Sequence, residues 1–107
     1  CSTDETYFAS GHHGVAAAMF TASHNPATYN GIKFCRAGAQ GISLATGLGS
    51  IRDRAQVYLA TGIPAVDAPG TLSHRDVLPG YASYLRELVD LSSVRPLRVV
   101  VDAGNGM

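Results

Sequence analysis

An apolar run at residues 15–20 breaks off into the segment Thr-Ala-Ser-His-Asn-Pro at residues 21–26, and this junction most constrains the fold. The run lies between a glycine turn and a proline loop, which favours a short buried strand, although its three consecutive alanines would also suit a helix. Proline restricts the residue before it to extended conformations, so Asn25 is expected to hold Ser23 on a stiff bend. Ligands of open α/β sheets bind at the carboxyl ends of strands, which makes the Ser23 hydroxyl a candidate for ligand contact.

A helix and a second strand are predicted beside this junction. A cap-like threonine followed by two acids predicts a helix over residues 4–10. Residues 32–35 predict a strand, in which alternation sends Ile32 and Phe34 to one face and Lys33 to the other.

Two helices and a strand are predicted in the rest of the chain. Apolar residues recur at helical spacing from Leu48, with a capping box that begins at Ser50 and a stop at Gly62. A second amphipathic helix is expected to follow its cap, Asp76. Residues 97–101 are continuously apolar, as is typical of a strand covered on both faces. Helices and strands therefore alternate in an α/β manner.

Composition excludes several classes of partner. Eight basic and eight acidic residues cancel, and one lysine is present, so neither nucleic acid nor an anionic membrane surface has support as a partner. No apolar stretch approaches the roughly 20 residues that span a bilayer. Cys1 and Cys35 lack metal-ligand or disulfide-framework spacing, which predicts reduced thiols and a cytoplasmic location. The chain begins without methionine and ends in a Gly-rich turn, so we expect a piece of a longer polypeptide.

Three side chains are candidates for chemistry at the junction. Ser23 and His24 are neighbours that could cooperate only if the loop bends, because adjacent strand residues point to opposite faces. The turn at Asn30 directs Lys33 back toward the bend, where an ammonium would stabilise the charge of a phosphorylated hydroxyl. Each of the three is also typical of an ordinary exposed residue. A hydrolytic triad is disfavoured, because no Gly-x-Ser-x-Gly elbow is present and no aspartate is placed to orient His24.

The other candidates are weaker. The adjacent His12 and His13 could be metal ligands, but a solvated turn is the favoured interpretation. Residues 102–106 follow an apolar run and could begin a phosphate-binding helix, although they lack the Lys-Ser/Thr of a P-loop. No acidic cluster of the magnesium-binding type occurs, so metal chemistry would need ligands from elsewhere.

Residues 21–26, followed by Tyr-Asn-Gly-Ile-Lys-Phe at residues 29–34, closely resemble the active-site segment of the α-D-phosphohexomutases, the family of phosphoglucomutases and phosphomannomutases. The similarity extends to residues 1–4, 78–86 and 99–107. The resemblance implies a three-layer α/β/α fold with a mixed sheet. Residues 1–95 would form an incomplete domain I, and residues 96–107 would supply the first strand and Gly-rich turn of domain II.

The resemblance also implies a reaction and its residues. Ser23 would be carried as phosphoserine, with one phosphate oxygen on Mg²⁺, and His24 and Lys33 would assist proton transfer and charge stabilisation. The enzyme would interconvert the 1- and 6-phosphates of mannose or glucose through a hexose 1,6-bisphosphate. The family's metal loop, sugar loop and phosphate-binding loop do not occur in these residues, so the chain alone is expected to be inactive.

A second hypothesis from another class stays open. The chain could be a non-catalytic α/β module that uses the Ser-His loop to bind phosphate or a partner. An Asp-Gly-Asp-type Mg²⁺ loop encoded downstream would distinguish the mutase from this module.

Overall fold

The computed structural model describes residues 1–26, 28–102 and 104. The structure contains both helices and short strands, which is consistent with the predicted α/β class, but the predicted alternation is wrong, because the three strands follow one another between the first helix and the later ones. The elements are α1 (Thr3–His13), β1 (Ala17–Phe20), β2 (Ile32–Arg36), β3 (Gln40–Gly41), a π-helical turn (Leu44–Leu48), α2 (Gly49–Thr61) and α3 (Leu78–Leu88).

The three strands form one sheet in the order β1-β2-β3, and both pairings are antiparallel. Met19 lies opposite Lys33, and Phe20 lies opposite Ile32. Directly opposite residues of paired strands share a face, and successive residues along a strand alternate between the two faces. Lys33 and Ile32 therefore lie on different faces, as predicted. The predicted mixed sheet is not found among the described residues. The segment between β1 and β2 closes on itself as a hairpin, which joins antiparallel neighbours, whereas parallel strands need a crossover connection.

Helix α1 packs on one face of the sheet and runs antiparallel to β1. The Thr6 hydroxyl, near the start of the helix, donates to the Met19 sulfur at 3.5 Å. The helix begins with a capping box, in which Ser2 Oγ accepts from Glu5 N–H (3.1 Å) and Glu5 Oε2 accepts from Ser2 N–H (3.3 Å). The predicted helix is therefore confirmed and longer than expected, and its cap is Ser2 rather than Thr3.

The buried Ser10 hydroxyl joins α1 to both long strands. Its single proton is shared between the carbonyl oxygens of Val15 at 2.7 Å and Arg36 at 3.0 Å, and its oxygen accepts from the Ala39 N–H at 3.2 Å. These groups belong to the approach to β1, the end of β2 and the turn before β3. One side chain therefore satisfies backbone groups that the strand ladders leave unpaired.

Helix α2 begins differently from the prediction. Ser43 caps the π-helical turn reciprocally with Thr46: Ser43 Oγ accepts from Thr46 N–H (3.2 Å), and Thr46 Oγ1 accepts from Ser43 N–H (2.8 Å). The turn continues into α2, so the capping box predicted at Ser50 is wrong, because an earlier hydroxyl pair already starts the helical segment. The predicted stop is confirmed, since Gly62 follows the helix and its N–H donates to Tyr58 O at 2.9 Å.

Helix α3 begins close to the predicted place. Val77 is the N-cap residue and makes no side-chain cap bond, whereas Asp76 Oδ1 accepts from Leu78 N–H at 3.0 Å. Asp76, the predicted cap, therefore does bond the first turn of the helix, but it stands one residue before the N-cap position. The helix packs on α1, where the Phe8 ring lies 5.3 Å from the Tyr84 ring.

The predicted strand at residues 97–101 is not found. Leu97 is 56% exposed and Val100 is 96% exposed, and these residues form no regular structure. A strand needs a neighbour for its backbone groups, and the described residues place none beside this run. Residues 103 and 105–107 of the predicted Gly-rich turn lie outside the described residues. The division into residues 1–95 and 96–107 remains a prediction.

Burial is sparse in the described part of the chain. The side chains there that are classed as buried are Glu5, Ser10 and Cys35. On the sheet face opposite α1, Phe20 is 67% exposed and Ile32 is 45% exposed, so the strand predicted to be buried is covered on one side. The radius of gyration is 18.4 Å, against about 13 Å for a compact chain of this length. None of the described helices is long and apolar enough to cross a bilayer.

Replacing Ser10 with alanine is expected to lower the free energy of unfolding by about 1–3 kcal/mol, because buried backbone groups lose their partner. Urea denaturation measures the change. The matched control is Ser50→Ala, an exposed serine in α2, which should shift stability by no more than about 0.5 kcal/mol. Equal effects of the two substitutions would contradict the role of Ser10.

Candidate functional site

Residues 21–31 join β1 to β2 and are named the Ser23 loop. Its two ends are held together by the Thr21 N–H, which donates to Gly31 O at 2.9 Å. The Gly31 N–H in turn donates to Asn30 Oδ1 at 2.9 Å. The loop therefore has a closed neck, which extends the β1–β2 pairing beyond the strands.

A tight turn near the start of the loop carries Ser23 and His24. The Asn25 N–H donates to Ala22 O at 3.1 Å, which closes the turn around the two residues. Ser23 has a φ of 54°, in the left-handed region that side chains other than glycine rarely adopt. Its N–H donates to Thr21 Oγ1 at 2.9 Å. The bend predicted at Ser23 is confirmed, and the backbone there is strained.

The three predicted catalytic residues lie at one end of the sheet. Ser23 and His24 share the turn that follows β1, and Lys33 lies near the start of β2, opposite Met19 and on the face that α1 covers. All three side chains are exposed. Among the described residues, no hydrogen bond or ion pair joins any of them to another. The structure thus brings them to one end of the sheet, with no bonds between their side chains.

The amino end of α1 lies at the same end of the sheet, because α1 runs antiparallel to β1. Thr6 near that end contacts Met19, whereas Ser10 further along contacts Val15. The positive end of a helix dipole favours nearby negative charge. The helix dipole and the Lys33 ammonium together give this end of the sheet an electrostatic bias toward an anion such as phosphate. The Glu5 carboxylate of the capping box offsets part of that bias.

Sequence reasoning missed Thr21 and Gly31. A β-carbon at position 31 would lie 2.8 Å from Thr21 O, so the neck closes only with glycine. Thr21 supplies the acceptor for the Ser23 N–H. A threonine two residues before the bend is a signal that could have been used, because threonine hydroxyls commonly bond backbone groups two residues away.

The remaining candidates lie elsewhere. His12 and His13 are exposed in the last turn of α1, where the His12 ring stacks on Phe8 with centroids 5.3 Å apart. The described residues contain no group of three or more histidine, cysteine or acidic side chains placed to hold a metal. In the predicted phosphate-binding turn, Asp102 Oδ1 accepts from Gly104 N–H at 2.9 Å, and its other residues lie outside the described part.

A groove of about 470 Å³ lies between α1 and α3, away from the Ser23 loop. Its walls are largely aromatic, with the Phe8 ring 5.5 Å from that of Tyr81 and 5.3 Å from that of Tyr84. These contacts join the two helices, so the groove is best explained as the seam of their packing.

Two local electrostatic features lie within α2 and just after α3. The Ser92 hydroxyl and N–H both donate to the Asp90 carboxylate, and these bonds lower the pKa of Asp90. The Tyr58 side chain raises the pKa of Arg54 on α2. Asp90 and Arg54 are both exposed and belong to helices or their ends rather than to the Ser23 loop.

Comparisons with known proteins point to one family. Residues 1–67 match the family model described as phosphoglucomutase/phosphomannomutase, alpha/beta/alpha domain I. Over 108 aligned residues the chain is 43% identical to phosphohexose mutases of Xanthomonas campestris pv. campestris (strain B100), covering 99% of this chain and 23% of the relative. It is 44% identical over 108 residues to a phosphomannomutase of Escherichia coli, covering 97% of this chain and 23% of the relative.

A third relative, a phosphomannomutase of Vibrio cholerae serotype O1, is 35% identical over 105 residues, covering 97% of this chain and 22% of its own length. The chain therefore spans less than a quarter of the length of the curated relatives it matches. No solved structure gives a significant match. The Ser23 loop lies entirely within the residues that match the family model.

Replacing Gly31 with alanine is expected to force the neck of the Ser23 loop apart and to lower the free energy of unfolding by about 1–3 kcal/mol. The added β-carbon would meet a backbone oxygen, which cannot move aside as a flexible side chain can. Gly41→Ala is the matched control, because a β-carbon there has nothing within 4 Å. Urea denaturation of both variants tests this, and a Gly31→Ala variant as stable as the control would contradict the close approach.

Proposed function

The chain belongs to the phosphoglucomutase/phosphomannomutase family, and we propose that in the complete enzyme Ser23 carries the phosphate that is transferred. The observation that supports this most is the position of Ser23. Its exposed hydroxyl stands at the tip of a turn that follows a strand, in a stretch that matches the family model. The proposed reaction interconverts the 1- and 6-phosphates of a hexose, either mannose or glucose.

The proposed reaction has two transfers. A hydroxyl of the hexose monophosphate attacks the phosphorus of phosphoserine 23, the bond from phosphorus to Ser23 Oγ breaks, and a hexose 1,6-bisphosphate forms. The bisphosphate then turns in the site. Ser23 Oγ attacks its other phosphate, which restores phosphoserine and releases the isomeric monophosphate. Atoms balance over the cycle, and no further phosphate donor is consumed.

His24 and Lys33 are proposed to serve these transfers. Phosphoryl transfer depends on positioning, on neutralisation of charge and on a group that takes the proton of the attacking hydroxyl. His24 follows Ser23 in the same turn and suits the proton transfer, because an imidazole ring has one nitrogen that can accept a proton and one that can donate it. Lys33 lies at the same end of the sheet and suits charge stabilisation. Both side chains are exposed and free to meet a substrate.

Magnesium is proposed as the cofactor, although the described residues by themselves do not form a cage for it. Mg²⁺ prefers oxygen ligands in octahedral geometry, and it is commonly held by one or two carboxylates together with phosphates. The described residues offer no cluster of three histidine, cysteine or acidic side chains that could hold a metal ion. A phosphate on Ser23 would supply one ligand, and we propose that the others come from outside this chain.

The exposed apolar faces support a larger assembly around this chain. On the sheet, Phe20 is exposed on the face that α1 leaves open, and on α2 Val57 and Leu59 are 56% and 87% exposed. Large exposed apolar surfaces are typical of contact sites. We propose that further layers of the complete enzyme cover these faces, giving the three-layer arrangement, and that the chain alone does not turn over.

The proposed setting is a phosphosugar pathway in the cytoplasm. Phosphosugars are the substrates that the family name implies, and both cysteines are free, which suits a reducing compartment. The names of the relatives do not favour the alternative of a non-catalytic module.

In the complete enzyme, Ser23→Ala is expected to lower mutase turnover roughly 10³-fold or more, since the group that accepts the phosphate is lost. The melting temperature should stay near that of the unchanged enzyme, because the side chain is exposed. A coupled assay of hexose 6-phosphate formation measures turnover, and mass spectrometry after incubation with the bisphosphate locates the phosphate. Near-normal turnover, or phosphate on another residue, would refute the carrier role.

Lys33→Met in the complete enzyme is expected to lower kcat by roughly 10²-fold, through loss of charge stabilisation in the transition state. The same substitution at Arg86, an exposed cation on α3, provides the matched control and should leave kcat unchanged. Steady-state kinetics and thermal melting separate the two effects. A large drop in melting temperature with unchanged kcat would assign Lys33 to stability instead.

A further inference from the structure

The backbone of Ser23 is held in a conformation that it would not adopt unaided. Its φ of 54° lies in the left-handed region, which costs free energy for a residue with a β-carbon. The Ser23 N–H donates to Thr21 Oγ1 at 2.9 Å. This bond orients the Ala22–Ser23 peptide group, whose carbonyl oxygen accepts from the Asn25 N–H at 3.1 Å and so closes the turn across Ser23. The Thr21 hydroxyl therefore supports the turn in which Ser23 is strained.

Thr21 is itself held firmly enough to act in this way. Its N–H donates to Gly31 O at 2.9 Å, and its carbonyl oxygen lies so close to Gly31 that a β-carbon there would approach within 2.8 Å. Threonine is branched at Cβ, which restricts rotation about χ1. Thr21 is also partly buried, whereas Ser23 is exposed. The hydroxyl that accepts from Ser23 is thus attached to the best-anchored part of the loop.

We propose that Thr21 is a positioning residue: its hydroxyl oxygen fixes the Ala22–Ser23 peptide group on which the left-handed turn at Ser23 is built, and thereby directs the Ser23 hydroxyl for phosphoryl transfer. This inference rests on the proposed function of Ser23. Without the acceptor, the Ala22–Ser23 peptide group can rotate and bond water in other orientations. The Asn25–Ala22 bond that closes the turn is then weakened, and Ser23 can relax toward a negative φ. The Cβ–Oγ bond then points in another direction, and the nucleophile leaves the line of attack.

The test compares Thr21→Val with Thr21→Ser in the complete enzyme. Valine keeps the shape and removes the acceptor, so kcat should fall by roughly 10- to 100-fold, as expected for a displaced nucleophile, with KM little changed. Serine keeps the oxygen and should restore kcat to within about threefold of the unchanged enzyme, since the hydrogen bond is retained. The melting temperatures of both variants should stay close to that of the unchanged enzyme.

A second measurement detects the hydrogen bond from the Ser23 N–H to the Thr21 hydroxyl independently of catalytic activity. In enzyme labelled with ¹⁵N-serine, exchange of the Ser23 amide with water should be faster in Thr21→Val and unchanged in Thr21→Ser. The Ser23→Ala variant identifies the amide signal by its loss and tests the carrier role separately. If Ser23→Ala keeps its turnover, the proposed function fails, whereas faster exchange in Thr21→Val still shows that Thr21 holds the Ser23 backbone.

Two results would overturn the inference. The first is an unchanged kcat in Thr21→Val, whatever the amide does, while Ser23→Ala is inactive. The second is a failure of both Thr21→Val and Thr21→Ala to fold. Thr21 would then be required for the structure of the loop, and a role in orienting the Ser23 hydroxyl would be excluded.

Discussion

The hydroxyl of Ser10 is the contact on which the arrangement of α1 and the sheet depends. It joins the helix to the carbonyl groups of Val15 and Arg36 and to the N–H of Ala39, so it fixes where each long strand stands relative to the helix. Few other side chains are buried in the described part of the chain, and hydrophobic burial alone therefore gives little direction to the packing. A satisfied buried hydroxyl supplies the geometric specificity that a larger apolar core would otherwise provide.

The candidate site lies at the other end of α1 and β1 from the Ser10 contacts. Because α1 and β1 run antiparallel, the amino end of the helix and the carboxyl end of the strand lie at the same end of the sheet, where the chain turns through Ser23. The neck between Thr21 and Gly31 isolates that turn from the strands and holds it in place. His24 and Lys33 are brought to this end by chain direction and strand register rather than by bonds between their side chains. This end of the sheet therefore has an electrostatic bias toward an anion, and the three side chains are not bonded to one another.

The sequence was most informative where local chemistry decides the structure. The bend at Ser23 follows from proline geometry, the alternation of Lys33 and Ile32 follows from the pleat, and the stop at Gly62 follows from the freedom of glycine. The predictions that failed depend on distant partners. The strand expected at residues 97–101 needs a neighbour for its hydrogen bonds, and the mixed sheet needs a parallel partner for β1. The role of Gly31 also depends on contact across the loop, which a linear pattern does not display, whereas the bond from Thr21 to Ser23 is local and leaves a signal in the sequence.

The positive φ of Ser23 restricts which alcohol can stand at this position. Threonine carries the same reacting oxygen, but its branched β-carbon is poorly tolerated in the left-handed region. The loop therefore discriminates between two hydroxyl amino acids by backbone sterics before any reactivity is considered. Such a filter would keep the proposed carrier a primary alcohol, the less hindered of the two toward an incoming phosphorus centre.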